Sequence, residues 1–432
     1  MEYIFFLLLL VIWLIYYSIN NFMMIKPSVF YLSVMVFTML VYLTAFEKWG
    51  VHLSFAGFGI TLLGFAIFAA GERIGISFST NLLKAMNLNN GKNGGISKFY
   101  ISINRKWLWL SFLLAVITIK LCYDHALVLA LSLGTSADSE FLLGATRRAL
   151  QSGEKMGAAL GALAILTNTI SYISAFIFLN NIVLGKKDFS YLILSIISLI
   201  PNFLFGGRFG LISYTYSIIT MWAVLLQIYH GWHFQWKVKQ ILKLLGIAVC
   251  MLAGFLVLGS FTGKVDFDDI INPLQIYIAF PIQGIDYILD NEYIFNETFF
   301  GEHIFARLTN LLYRIGIFDD QTYIFQPFAY FNGFSANTYS ATGDWLATGG
   351  ILAVVFGQFI VGLLFGISYN YIYKLRKINY FTFLYSIFGF VILDRMTAEH
   401  FFNFLFDFSS ILMFIIGYCM FRMIKKVPVG IK

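Results

Sequence analysis

Apolar residues run along the chain in stretches of membrane-spanning length, separated by short polar punctuation. A hydrocarbon core of about 30 Å takes roughly 17–25 helical residues, and segments of that size recur at 3–19, 27–46, 51–70, 107–123, 156–180, 189–205, 209–229, 244–261, 345–372, 379–394 and 404–421. The pattern predicts an all-α polytopic membrane protein, a single transmembrane domain over 1–432 with about 11 helices. The first stretch, "YIFFLLLLVIWLIYY", has neither a basic n-region nor a small-residue cleavage site and reads as a retained helix. The apolar run from 189 to 229 would be about 60 Å long as one helix, roughly double what a bilayer accommodates. It must fold back, and "GGR" at 206–208 is the turn.

Composition agrees: 59% of residues are hydrophobic and 12% charged, whereas ordinary soluble domains carry about 25% charged residues. Placement of charge gives the orientation. With the helices above, one side holds 19 of the 29 Lys and Arg and only Glu72 and Asp188 of the 22 acids. By the positive-inside rule that side is cytoplasmic, which puts the N-terminus periplasmic, the C-terminus cytoplasmic and Arg208 at the outer surface. The cytoplasmic loop 71–106, with "NLNNGKNGG" inside it, carries basic residues suited to anionic membrane lipids. The extracytoplasmic loop 262–343 is the largest polar segment, and loops of that length are usually functional.

Cys122, Cys250 and Cys419 lie far apart in apolar runs and form neither a disulfide framework nor a metal motif. Nucleotide-binding and zinc motifs are missing, so no cofactor and no nucleic-acid partner is expected. "DFDD" at 266–269 is the one stretch of carboxylates that suits Mg²⁺ or Ca²⁺; it reads better as a solvated turn, and no metal site is expected.

Candidate chemistry gathers on the outer side. "EHIFARLTNLLYRIG" at 302–316 has a helical pattern in which His303, Arg307, Asn310 and Arg314 fall within about 60° of one another at 100° per residue. The stripe is either an interfacial helix with snorkelling arginines or a phosphate-binding face, since guanidinium forks grip phosphate oxygens bidentately. Arg208 follows two glycines that permit a tight turn and leave N–H groups at a helix start, where anions are favoured. In "ANTYSATGDW", Asp344 is either a helix-capping acid or, with Asn337, Thr338 and Tyr339, part of a polar mouth suited to sugar hydroxyls. In "LDRMTAEHFFNF", Arg395 and Glu399 are spaced i, i+4 and either pair on a helix end or serve a site, with Glu399 or His400 as base. The aromatic "TYIFQPFAYFNGF" suits pyranose stacking or the membrane interface.

Three of these features resemble the oligosaccharide repeat unit polymerases, the Wzy-type O-antigen and capsule polymerases. They are "GGRFGLIS" opening a helix at the outer face, the large outer loop with basic residues, and "ANTYSATGDWLATGGILAVVFGQFIVGLLFG". The last is similar to the family's Asn-Thr/Val-Tyr-Thr approach followed by Asp-Phe-Gly and a Gly-rich helix, with Asp344-Trp345 in place of Asp-Phe. The resemblance implies a C-type membrane glycosyltransferase in the bacterial inner membrane. It would transfer a growing glycan from undecaprenyl diphosphate to the non-reducing end of another lipid-linked repeat unit at the periplasmic face, making lipopolysaccharide O-antigen or capsule, with a chain-length regulator as protein partner. Under this reading Arg208, Arg307, Arg314, Arg395, Asn337, Tyr339 and Asp344 bind substrate, and His303, Glu399 or His400 is the base. A lipid-linked oligosaccharide flippase, an O-antigen ligase and a non-catalytic scaffold are the rival readings.

Overall fold

The computed structural model describes residues 1–86, 98–132, 142–151, 157–205, 209–232, 234, 246, 254, 271–291, 301–319, 322 and 328–429. The turn expected at 206–208, the expected span 244–261 apart from residues 246 and 254, and "DFDD" at 266–269 lie outside them. In chain order the elements are α1 (Glu2–Ile19), α2 (Pro27–Tyr42), α3 (Phe46–Trp49), α4 (Phe55–Ala85), β1 (Phe99–Ser102), α5 (Arg105–Ser132), α6 (Leu142–Gln151), α7 (Ala158–Val183), α8 (Phe189–Phe203) and α9 (Phe209–Tyr229). Then follow α10 (Ile271–Asp290), α11 (Ala306–Arg314), β2 (Ala329–Phe331), β3 (Phe334–Ala336), α12 (Ser340–Leu375), α13 (Tyr380–Asp394), α14 (Phe401–Phe406), α15 (Phe408–Arg422) and β4 (Lys425–Pro428). The architecture is all-α and membrane-embedded. Among the described residues six helices, α1, α4, α5, α7, α9 and α12, are long and apolar enough to cross a membrane, and α2, α8, α13 and α15 are shorter apolar helices.

The chain forms two compact units. The first comprises 1–94, 271–376 and 391–410, and its axis is the pairing of α4 with α12. Gly71 and Gly75 of α4 face Gly362 and Gly366 of α12, and a Cβ at any of these positions would come within 2.1–2.3 Å of a backbone carbonyl oxygen of the other helix. Small residues four apart let helix backbones approach without hydrophobic drive, which lipid does not supply. This packing carries α4 on to Ala85, so the segment expected as a loop from residue 71 begins as helix.

Within 262–343, expected as a large outer loop with an amphipathic helix near 302–316, the structure adds a further helix. Residues 271–290 are helical, and α10 lies along the end of the unit where α2 leads into α4. Asn272 bonds Lys48, Gln275 Nε2 donates to Thr44 Oγ1 (2.9 Å), Tyr42 donates to Gln283 Oε1 (2.8 Å), and Ser54 N–H and Oγ both bond Asp286. These partners fall between residues 272 and 286 on α10 and between 42 and 54 opposite, so α10 packs against the connection that joins α2 to α4. Gly57 leaves room for Asp286, whose Oδ1 would lie 2.0 Å from a Cβ there. The β2–β3 hairpin turns at Asn332-Gly333, both at positive φ, the preferred pair for a type I′ turn.

The second unit comprises 95–270, 377–390 and 411–432. Reciprocal bonds hold α7 to α8: Ser171 Oγ donates to Ser195 O (2.7 Å) and Ser195 Oγ to Ser171 O (2.8 Å). Ser217 of α9 donates to Ile387 O of α13 (2.9 Å). β1 pairs antiparallel with β4, Ile101 opposite Lys426. Asn181 at the end of α7 bonds both the N–H and the C=O of Ile101 at 2.8 Å, standing in for a third strand.

Candidate functional site

The site of the first unit starts from a break in α12. Gly349 and Gly350 leave helical geometry, and Gly350 sits at φ 66°, ψ −158°, a region open essentially to glycine alone. In a straight helix Thr342 and Gln358 would be about 24 Å apart along the axis, yet Gln358 Nε2 donates to Thr342 Oγ1 at 3.0 Å. Trp345 likewise lies against Gly357, where a Cβ would meet Cε2 at 2.0 Å. The chain therefore doubles back, and 340–348 is a short half-helix folded onto the long arm 351–375. The single span expected at 345–372 is corrected accordingly: hydropathy averages over a Gly-Gly reversal that has no polar signature.

A half-helix buried at its start must place its free N–H groups. Ser340 N–H donates to Thr397 O (3.2 Å) and Ala341 N–H to Arg395 O (2.8 Å), while Ser340 Oγ accepts from Gly343 N–H (3.1 Å). Ser340 is held at φ 58°, a left-handed conformation that is costly without a glycine. The segment 395–400 after α13 is thereby tied to the half-helix. Irregular backbone at membrane depth is tolerated where protein satisfies it in this way.

Asp344 is not a cap: Tyr339 holds the N-cap position, and Asp344 Oδ2 accepts the backbone N–H of Glu399 at 2.7 Å. Glu399 takes the indole N–H of Trp345 on Oε2 (3.0 Å) and the N–H of Phe401 on Oε1 (2.9 Å). Arg395 lies 3.4 Å from the same Oε2 and bonds the Gln358 side-chain oxygen through Nη2. Both members of this i, i+4 pair are buried, Arg395 completely. Among the described residues Nε and Nη1 of Arg395 have no hydrogen-bond partner; its guanidinium carbon is 5.6 Å from the ring centre of Tyr31 and 5.2 Å from that of Phe68. Cation–π attraction offsets part of the desolvation, and donors remain for an oxyanion.

His400 Nε2 stands 3.1 Å from Asp394 Oδ2, with the histidine side chain 28% exposed. Burial and the positive charge of Arg307 lower its pKa to about 4. His303, almost fully enclosed, is also lowered by burial to about 4. Both imidazoles are neutral at pH 7 and able to accept a proton. Their unfolded-state value is about 6.5, so the unfolded chain binds more protons between pH 6.5 and 4. Stability is therefore full above pH 6.5 and falls as pH drops toward 4, by up to about 1.4 kcal/mol per pH unit for each histidine. Thermal unfolding of purified protein across that range should show the loss, and replacing both histidines with glutamine should flatten it.

Of the other expected site residues, Arg307 approaches Asp407 (Nη1 to Oδ1 3.7 Å) and its N–H donates to Asn403, and Arg314 stacks on Phe408 at 5.9 Å. Tyr339 is buried, its ring beside Phe280 and Tyr287. Asn337 is partly exposed just before it. Arg208 lies outside the described residues. The structure thus gathers Asp344, Arg395, Glu399 and His400 in one place and adds Thr342, Trp345, Gln358 and Asp394, which sequence reasoning missed. The signals for these were "LATGG", a paired glycine inside an over-long apolar run, and the acid directly before Arg395. Among the described residues no group of three or more His, Cys, Asp or Glu side chains is arranged to hold a metal ion. No family model, curated protein or solved structure matches the chain.

Proposed function

We propose that the chain is a membrane glycosyltransferase that polymerises undecaprenyl-diphosphate-linked oligosaccharide repeat units into O-antigen or capsular polysaccharide at the periplasmic face of the bacterial inner membrane. The observation that carries this reading is Arg395, a fully buried guanidinium held by Gln358 and Glu399 inside an apolar bundle, with Nε and Nη1 unpartnered among the described residues. Ionisable groups at such depth mark functional pathways by default, and preorganised cationic donors stabilise the charge that develops on a departing diphosphate. Glu399 already accepts from Trp345, Phe401 and Arg395, so it orients the arginine. The base is then His400, whose ring is neutral, partly exposed and backed by Asp394. Arg307 supplies a second positive charge near it.

The broken helix and the buried charges also favour a second reading, a flippase for the same lipid-linked oligosaccharide, because discontinuous helices with ions at mid-depth recur in transporters. A ligase would differ only in its acceptor. Purified protein in vesicles, given defined lipid-linked repeat units, separates them: a ladder of chain lengths supports the polymerase, and translocation of unextended units without a ladder supports the flippase. Transfer to lipid A core alone supports the ligase.

A further inference from the structure

The second unit carries cations that the proposed chemistry does not use. The β1–β4 ribbon gathers them: Lys98, whose carbonyl accepts from Val429 N–H (3.0 Å), Lys425 opposite Ser102, Arg105 and Lys106 directly after β1, Arg422 just before β4, and Lys186 with Nζ 5.5 Å from the ring centre of Tyr100. All six are exposed, and among the described residues none has a carboxylate within 4 Å. The acid of this region, Asp188, accepts from Ser190 (2.6 Å).

The ribbon is fixed in place. Asn181 bonds both polar groups of Ile101, Asn180 donates to Phe99 O (3.1 Å), and Lys426 reaches Ile378 O (2.9 Å) while lying over Phe99 at 4.7 Å. It sits where α5 and α8 begin and α7 and α15 end, so the cations lie at the boundary of the apolar segments. Trp107 and Trp109 beside them are 49% and 62% exposed, the aromatic–cationic mixture of a membrane–water interface.

We propose that the ribbon end is a binding site for anionic phospholipid headgroups of the adjacent leaflet. A platform ordered before binding loses little entropy when headgroups dock, and each cation near an anionic surface is worth about fivefold in affinity. The site stands whether or not the chain transfers sugars. Native mass spectrometry of the full-length protein in neutral detergent, titrated with phosphatidylglycerol or with phosphatidylcholine of the same acyl chains, tests it. Phosphatidylglycerol adducts should dominate. The combined Lys98→Gln, Arg422→Gln and Lys425→Gln variant should weaken them at least tenfold and leave phosphatidylcholine adducts unchanged. The charge-keeping combination Lys98→Arg, Arg422→Lys and Lys425→Arg should bind as wild type. Equal binding of the two lipids by wild type, an undiminished preference in the glutamine variant, or loss of both lipids together would each overturn the proposal.

Discussion

Replacing Arg395 with alanine is expected to abolish the glycan ladder and to destabilise the protein in the same step. Removing one member of a buried ion pair leaves the other charge uncompensated and costs about 3–5 kcal/mol. Here Glu399 would keep the N–H groups of Trp345 and Phe401 but lose its counter-charge. The two effects can be separated. Arg395→Met combined with Glu399→Leu removes both charges at similar volume, which often restores stability. That double variant should melt close to wild type and still make no ladder, because the donors for the diphosphate are gone. Arg395→Lys should recover part of the stability and little activity, since one ammonium can take the place of Nη2 between Gln358 and Glu399 but lacks the further Nε and Nη1 donors of the planar guanidinium. A double variant with normal chain lengths would remove Arg395 from the site, and an alanine variant that melts as wild type would refute the buried pair.

Sequence reading located most helices because their ends are punctuated. The expected 209–229 coincides with Phe209–Tyr229, and 379–394 differs from Tyr380–Asp394 by one residue; the sequences Gly-Gly-Arg and Lys-Leu-Arg-Lys precede them. It missed elements whose polar residues are answered by tertiary partners. α10 contains Asn272, Gln275, Gln283 and Asp286, which depress its hydropathy, and each finds a partner on 42–57. The last turns of α4 carry Glu72, Arg73 and Lys84 and read as loop, yet Gly71 and Gly75 bind the helix to α12. Within the site, the spacing of Arg395 and Glu399 was visible as a helical pair. Their enclosure was not, because it depends on a chain reversal that brings Thr342, Trp345 and Gln358 together from positions a straight helix would hold apart. Buried charges were for the same reason undercounted: Asp344, Asp394, Arg395 and Glu399 all sit in short polar patches that read as surface turns, and all are enclosed.

That reversal should fail in two distinguishable ways. Gly350→Ala meets no steric obstacle, since nothing lies within 4 Å of a Cβ there. Its cost is conformational: φ 66° with ψ −158° suits glycine, and holding another residue there costs of order 1–3 kcal/mol. Gly357→Ala has the opposite fault. Its backbone is helical, but the new methyl would come 2.0 Å from Trp345 Cε2 and 2.4 Å from Nε1, so the half-helix must move and the indole must leave Glu399. Overpacking of this kind costs about 1–3 kcal/mol, and the displacement should cost most of the ladder as well. Shrinking the opposing ring tells the two apart. Trp345→Phe gives up the bond to Glu399 Oε2 but makes room, so it should raise the melting temperature of Gly357→Ala and leave that of Gly350→Ala no better. Equal behaviour of the two double variants would show that Trp345 does not pack on Gly357, and with it that 340–348 does not fold back on 351–375.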